Sequence, residues 1–302
     1  MLSRLLSIAL VLVLAPLLPG VATRTRGLLT GRRGSPVHQL YLDLWKLMRR
    51  GIVYSATTTF IFRLAPVVVA ATVVVAALLL PLDGHAGLLR FSGDVLAFAY
   101  LLALGRFLLV LGAVDTGSSF EGMGASREVA FASLVELGFF FAVATLGVAT
   151  RELSLSGMLG LGSGEPMPLA GPSLAMVAAG LFALLLAECA RVPVDDPATH
   201  LELTMIHEVM ILDHSGPDLA LLLYAGAVKF ALFGALVLLL IVPRSGVPLV
   251  LWLAILTIGL LGVGVAVGMV ESATARLRLS RVPLYLAGAA ALAGFGLVLV
   301  VS

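Results

Sequence analysis

Apolar windows of roughly 20 residues recur along the chain, near 2–22, 60–80, 94–114, 128–149, 172–190, 218–242, 248–270 and 283–301. Each is long enough to cross a bilayer as an α-helix. The pattern predicts an all-α fold: a polytopic membrane helix bundle of about eight transmembrane helices in a single integral membrane domain, residues 1–302. The first window has the outline of a secretory signal, with Arg4, an apolar run and then Val21-Ala22-Thr23. The run from Leu5 to Val21 can span, however, and a basic loop follows it, so a retained first helix is expected. No internal repeat, low-complexity tract or soluble domain stands out.

The polar intervals carry the next information. With alternating loops, 23–59, 115–127, 191–217 and 271–282 share one side, which holds roughly three times the Lys and Arg of the other. That side is expected to be cytoplasmic, with both termini outside. Within the first loop, Leu40, Leu44, Leu47 and Met48 recur at helical spacing beside Tyr41 and Trp45. This predicts an interfacial amphipathic helix over about 36–50. A plain surface helix and a docking or entry-portal role both remain open for it.

The densest polar stretch runs from Glu188 to Asp218, the expected coupling loop. It holds Glu188, Asp195, Asp196, Glu202, Glu208, Asp213 and Asp218 with Arg191, His200, His207 and His214, between two apolar windows. Glu188 and Arg191 have the i,i+3 spacing that brings helical side chains together, and Pro193 is expected to end that run. Asp196-Pro197 reads as an N-cap opening a short helix to about Leu212. Ser215-x-x-Asp218 has the form of a capping box for the next span. Apolar residues surround the segment on all faces, so it is expected to be gripped between the bundle and something docked on it.

Three charges are expected near mid-membrane: Arg106, Glu136 and Lys229. Ionisable groups at that depth are costly unless they pair, hydrate or carry something. A static ion pair that fixes packing competes with a set of proton-relay stations. Before Glu136, the stretch Asp115 to Val129 contains Gly117, Gly122 and Gly124, which predict an irregular loop closely approached by another backbone. Glu271, Arg276, Arg278 and Arg281 read as a topological anchor.

Composition narrows the chemistry. The chain is 60% hydrophobic and 12% charged, with a mean hydropathy of +1.12. Its one cysteine, Cys189, excludes an internal disulfide and a thiolate-held iron–sulfur cluster. No HExxH and no phosphate-binding glycine loop is present, and His200 and His207 lack the i,i+4 spacing of a metal pair. No metal site is expected. The basic first loop is explained by orientation, with no nucleic acid as partner.

At these residues the chain resembles the membrane heel subunit shared by respiratory complex I (NADH-quinone oxidoreductase) and the group 4 membrane-bound nickel–iron hydrogenases, including formate hydrogenlyase. GRRGSPVHQLYLDLWKL is similar to the family's loop after its first helix. Gly124-x-x-Arg127-x-x-Ala130, ending in Glu136, and Glu188-x-x-Arg191-x-Pro193-x-Asp195 match two of its motifs, and Glu202 falls on a further loop glutamate. The wording around both motifs looks like the hydrogenase branch. Phe131 stands where complex I has a glutamine, and Ala198 and His200 stand where it has acids, which weighs against quinone binding.

The resemblance implies a non-catalytic subunit in a prokaryotic cell membrane, with no cofactor of its own. It would anchor an arm whose nickel–iron (NiFe) centre and Fe-S clusters lie in hydrogenase-like large and small subunits and a ferredoxin-like subunit. Antiporter-like membrane subunits would move protons or sodium alongside it. As proton-transfer or coupling residues the resemblance nominates Arg127, Glu136, Glu188, Arg191, Asp195 and Glu202. Charge and depth add Asp196, Glu208 and Lys229. A quinone-binding complex I-like subunit and a passive membrane anchor are the rival readings.

Overall fold

The computed structural model describes residues 1–159, 171–196, 205–242 and 247–301, and among them the chain is helical with no strand. The first apolar window is broken. Helix α1 (Leu2–Leu14) and helix α2 (Leu17–Leu29) meet at a bend of 45°. Pro16 sits at the break, where its ring denies the helix a donor. Helix α3 (Gln39–Met48) is the expected amphipathic helix; no residue of it is buried, and it lies against α2.

Helices α4 (Phe60–Leu79) and α5 (Asp94–Asp115) pack along each other. One carboxylate fastens them: Asp115, at the end of α5, accepts from the backbone N–H of Thr59 at 2.6 Å and of Phe62 at 3.3 Å. These are donors that the start of α4 would otherwise leave unpaired. Helix α6 (Ser119–Thr150) is followed by the short α7 (Leu155–Met158) and by α8 (Pro172–Glu188). Helices α9 (Gly216–Ile241), α10 (Leu249–Ala273) and α11 (Val282–Val301) complete the order. Helix α9 is central, with most of its length buried among α3, α4, α8 and α10.

Without water to squeeze out, membrane helices associate by close packing of small residues. Helix α11 shows this against α6 and α8. A Cβ on Gly138 would lie 3.3 Å from the Ala290 Cα, and one on Gly180 would lie 3.2 Å from the Ala289 carbonyl oxygen. Among the described residues six helices are long and apolar enough to cross a membrane, the bent α1–α2 pair makes up to seven, and α8 is a shorter apolar helix. Of the about eight spans expected, the first is broken and the fifth is a helix of 17 residues, below the length of the others.

Three local expectations give way. The stretch 115–129 is not an irregular loop, because α6 begins at Ser119 and takes Gly122 and Gly124 into its first turns. Of the three glycines only Gly117 has a left-handed backbone, φ +72°. Ser215 is the N-cap of α9 but makes no capping hydrogen bond there. Its hydroxyl accepts from the Val53 N–H at 3.0 Å, while Asp218 accepts from the Tyr54 hydroxyl at 2.8 Å. The predicted box is thus spent on tying the segment after α3 to α9. Of the helix predicted over Pro197–Leu212, residues 197–204, including Glu202 and His200, lie outside the described residues; the remainder holds only a 3₁₀ turn, Glu208–Ile211.

A buried charge cluster below a tethered loop

Helix α8 stops at Glu188, and that terminus delivers its carboxylate into the bundle. The Glu188 side chain, 5% exposed, is gripped between the Arg106 guanidinium from α5 and the Lys229 ammonium from α9. Arg106 also donates to Glu136 of α6 at 2.7 Å, and its Nε lies 3.5 Å from a Glu128 oxygen on the same helix. Three spans and the end of a fourth helix thus meet in one ionic set. Three carboxylates face two cations. With every group ionised, one negative charge is in excess, and a single proton neutralises the set. Around Glu188 a low-dielectric interior makes that difference energetically large, while the Glu136 side chain is 46% exposed.

The i,i+3 contact expected between Glu188 and Arg191 does not form. Beyond Glu188 the chain leaves the helix, with Ala190 at φ +50°, and Arg191 turns to Glu271 at the end of α10, 3.4 Å away, with both side chains buried. Tertiary pairing here overrides a local spacing worth only a few tenths of a kcal/mol. Helix α8 has also ended well before Pro193, so the proline does not terminate it.

Asp195 gathers the loop. It accepts from the backbone N–H groups of Asp196 at 3.0 Å and of Ile206 and His207 at 3.1 Å, and it pairs with Arg276 at 2.8 Å. Asp196 forms a two-point pair with Arg26 of α2 at 3.0 and 3.2 Å. Arg276, expected as an orientation signal, is therefore also a fastener. Arg127 donates to the Met205 carbonyl at 2.8 Å and holds the far side of the loop.

Between this tethered loop and the charge cluster lies a cavity of about 260 Å³. Its wall includes Arg106, Glu128, Glu188, Arg191, His207, Glu208 and Lys229, together with leucines, valines and Phe230. The structure therefore gathers Glu136, Glu188 and Lys229 into one cluster and Asp195, Asp196 and Arg127 into the loop's fastenings. It puts Arg191 and Glu208 in the cavity wall. Glu128 is the member of the cluster that sequence reasoning misses. Once α6 is extended back to Ser119, Glu128 and Glu136 lie about two turns apart on neighbouring faces, and that spacing is the signal for it.

A second buried group stands at the entrance to α9. His214 is 3% exposed and stacks on Phe62 at 3.9 Å between centroids, and neither ring nitrogen has a hydrogen-bond partner among the described residues. Burial pushes its pKa from 6.5 down to about 4. Between those values the unfolded chain binds a proton that the folded chain does not, so stability is full above about pH 6.5 and falls as pH drops toward 4. His214→Phe is expected to flatten that part of the curve, as read by thermal unfolding in detergent at pH 7 and pH 4.5. Equal acid sensitivity in the variant would contradict this assignment.

Comparisons with known proteins speak to the family and the fold. Hydrogenase-4 component C of Escherichia coli (strain K12) is 32% identical over 237 residues, covering 78% of this chain and 73% of that protein. Formate hydrogenlyase subunit 4 of the same organism is 38% identical over 144 residues, 46% of this chain and 47% of that protein. A chain in the structure of the membrane-bound sulfane sulfur reductase (MBS), an archaeal respiratory membrane complex, superposes with a TM-score of 0.81, covering 99% of this chain and 98% of that one. At 18% identity that likeness speaks for the fold alone. The family model described as NADH dehydrogenase matches residues 2–301, and this integral membrane chain belongs to that family.

Proposed function

We propose that the chain is the membrane-anchor and coupling subunit of an energy-converting, hydrogenase-type oxidoreductase complex. The observation that carries this reading is the ionic set around Glu188, one carboxylate in excess and set beneath a loop tied down by Asp195 and Asp196. The loop end would dock the hydrophilic arm, whose NiFe centre and Fe-S clusters belong to hydrogenase-like and ferredoxin-like partners. Antiporter-like membrane subunits would stand beside the bundle, and the termini would lie on the outer side. Similarity to hydrogenase-4 component C and formate hydrogenlyase subunit 4 supports this setting.

The mechanism is electrostatic. A unit charge arriving in the arm about 8 Å from the cluster is worth roughly 2 kcal/mol at an effective dielectric near 20. That changes a protonation equilibrium about thirty-fold. An electron docked near the loop thus favours proton uptake by the excess carboxylate, and its departure favours release. Replacing Glu136 with Gln is expected to leave assembly and dye-linked redox turnover intact while cutting ion translocation into vesicles about ten-fold or more. Unaltered translocation would overturn the relay. Impaired assembly with normal coupling would favour a passive anchor.

A second reading has its own observation. The cavity wall combines ionisable side chains with leucines, valines and Phe230, a lining suited to the head group of a quinone. Competitive inhibition of turnover by quinone analogues would favour it.

A further inference from the structure

The large cavity has a small neighbour of about 20 Å³ on the other side of the same wall. Four residues border both: Glu128, Glu188, Ala190 and His207. Glu188 is pinned by Arg106 and Lys229, and Ala190 has no ionisable group. The shared wall therefore offers two exchangeable side chains, Glu128 and His207. Glu128 meets the cluster through its 3.5 Å approach to Arg106 Nε. The His207 backbone is fixed by Asp195 at 3.1 Å, which also borders the smaller space. One acid and one imidazole thus stand between the cavity, the cluster and the loop's main fastener.

The chemistry suits a transfer point. Imidazole binds a proton on one nitrogen and releases one from the other, which a carboxylate fixed between two cations does poorly. Burial pushes the His207 ring below its ordinary range; Glu128 pulls it back most strongly, Lys229 pushes it further down, and Asp195 and Glu188 oppose that. The cavity, at about 260 Å³ and with these ionisable groups in its wall, is roomy enough to hold water.

We propose that Glu128 and His207 form the proton-loading junction of the buried cluster. His207 takes a proton from cavity water on one nitrogen and gives the proton on its other nitrogen to the Glu128 carboxylate. Glu128, the third carboxylate that leaves the set one negative charge in excess, holds the proton beside Arg106 and passes it on to Glu136. No electron moves within this chain. The inference rests on the coupling reading above and adds the entry point to it.

The test uses the complex purified through a tag on this chain and reconstituted in vesicles, with translocation and dye-linked turnover measured together. Glu128→Gln and His207→Gly are each expected to slow translocation on the order of 100-fold at normal dye-linked turnover. Glu128→Asp should recover most of it. Added imidazoles should rescue His207→Gly, with the rescue following their basicity, a response that a packing role for the ring would not give. Normal translocation in Glu128→Gln alongside loss in Glu136→Gln would overturn the junction and leave the relay standing. Normal translocation in both would overturn the two together. Should Glu128→Gln fail to assemble, the imidazole series decides alone, and a lack of rescue overturns the junction.

Discussion

Glu188→Gln will destabilise the chain by about 3–5 kcal/mol, because it leaves two buried cations without the carboxylate they share. Arg106 keeps Glu136 at 2.7 Å, so the heavier loss falls on Lys229, whose ion-pair partner among the described residues is Glu188. The measurement is thermal unfolding of the purified complex in detergent, with the amount recovered from membranes as a second readout. Removing the stranded charge as well, in Glu188→Gln with Lys229→Met, should restore part of the loss. Pairs in direct contact typically couple by about 0.5–3 kcal/mol in such a cycle. A Glu188→Gln protein as stable as the parent would mean that the cluster holds no strongly coupled charges.

The second large effect is expected at Gly124. A Cβ there would sit 2.9 Å from the Ile206 carbonyl oxygen and 3.2 Å from the Met210 Cγ. Backbone cannot yield as a flexible side-chain tip can, so Gly124→Val should force the 205–211 segment away from α6. Overpacking of this kind costs about 1–3 kcal/mol. The displaced segment carries Met205, to which Arg127 donates, and the Ile206 and His207 N–H groups that Asp195 receives. Coupling should therefore fall further than stability. Gly122→Val is the control: no atom beyond its own stretch of helix lies within 4 Å of its added Cβ, and it should behave like the parent. Equal behaviour of the two variants would refute the close approach.

The sequence disclosed which residues matter more readily than it disclosed their partners. Apolar length pointed to the helical, membrane-type fold, since burying a span's surface in lipid depends on composition and not on neighbours. The charges at Arg106, Glu136, Glu188 and Lys229 were visible as anomalies for the same reason. Their pairing was not, because Arg106 and Glu188 are separated by 82 residues in the chain, and no periodicity reaches that far. Local spacing instead suggested Glu188 with Arg191, a contact the bundle discards for Glu271. The glycines before Glu136 misled in a different way. In isolation they weaken a helix; against the 205–211 segment, Gly124 is what lets the backbones come together.

The break at Ala15–Pro16 has a mechanical meaning. Helix α2 is jointed to α1 at one end and linked through Arg26 to Asp196 at the other, so it is a strut with a hinge and a handle. Pro19 and Thr23, on that strut, line the cavity. Tugging the handle would widen or narrow the chamber without unseating α1, turning an event at the loop into a change of internal volume. Spin labels on α2 and α4 that keep the same separation when the arm is reduced would show the strut to be rigid.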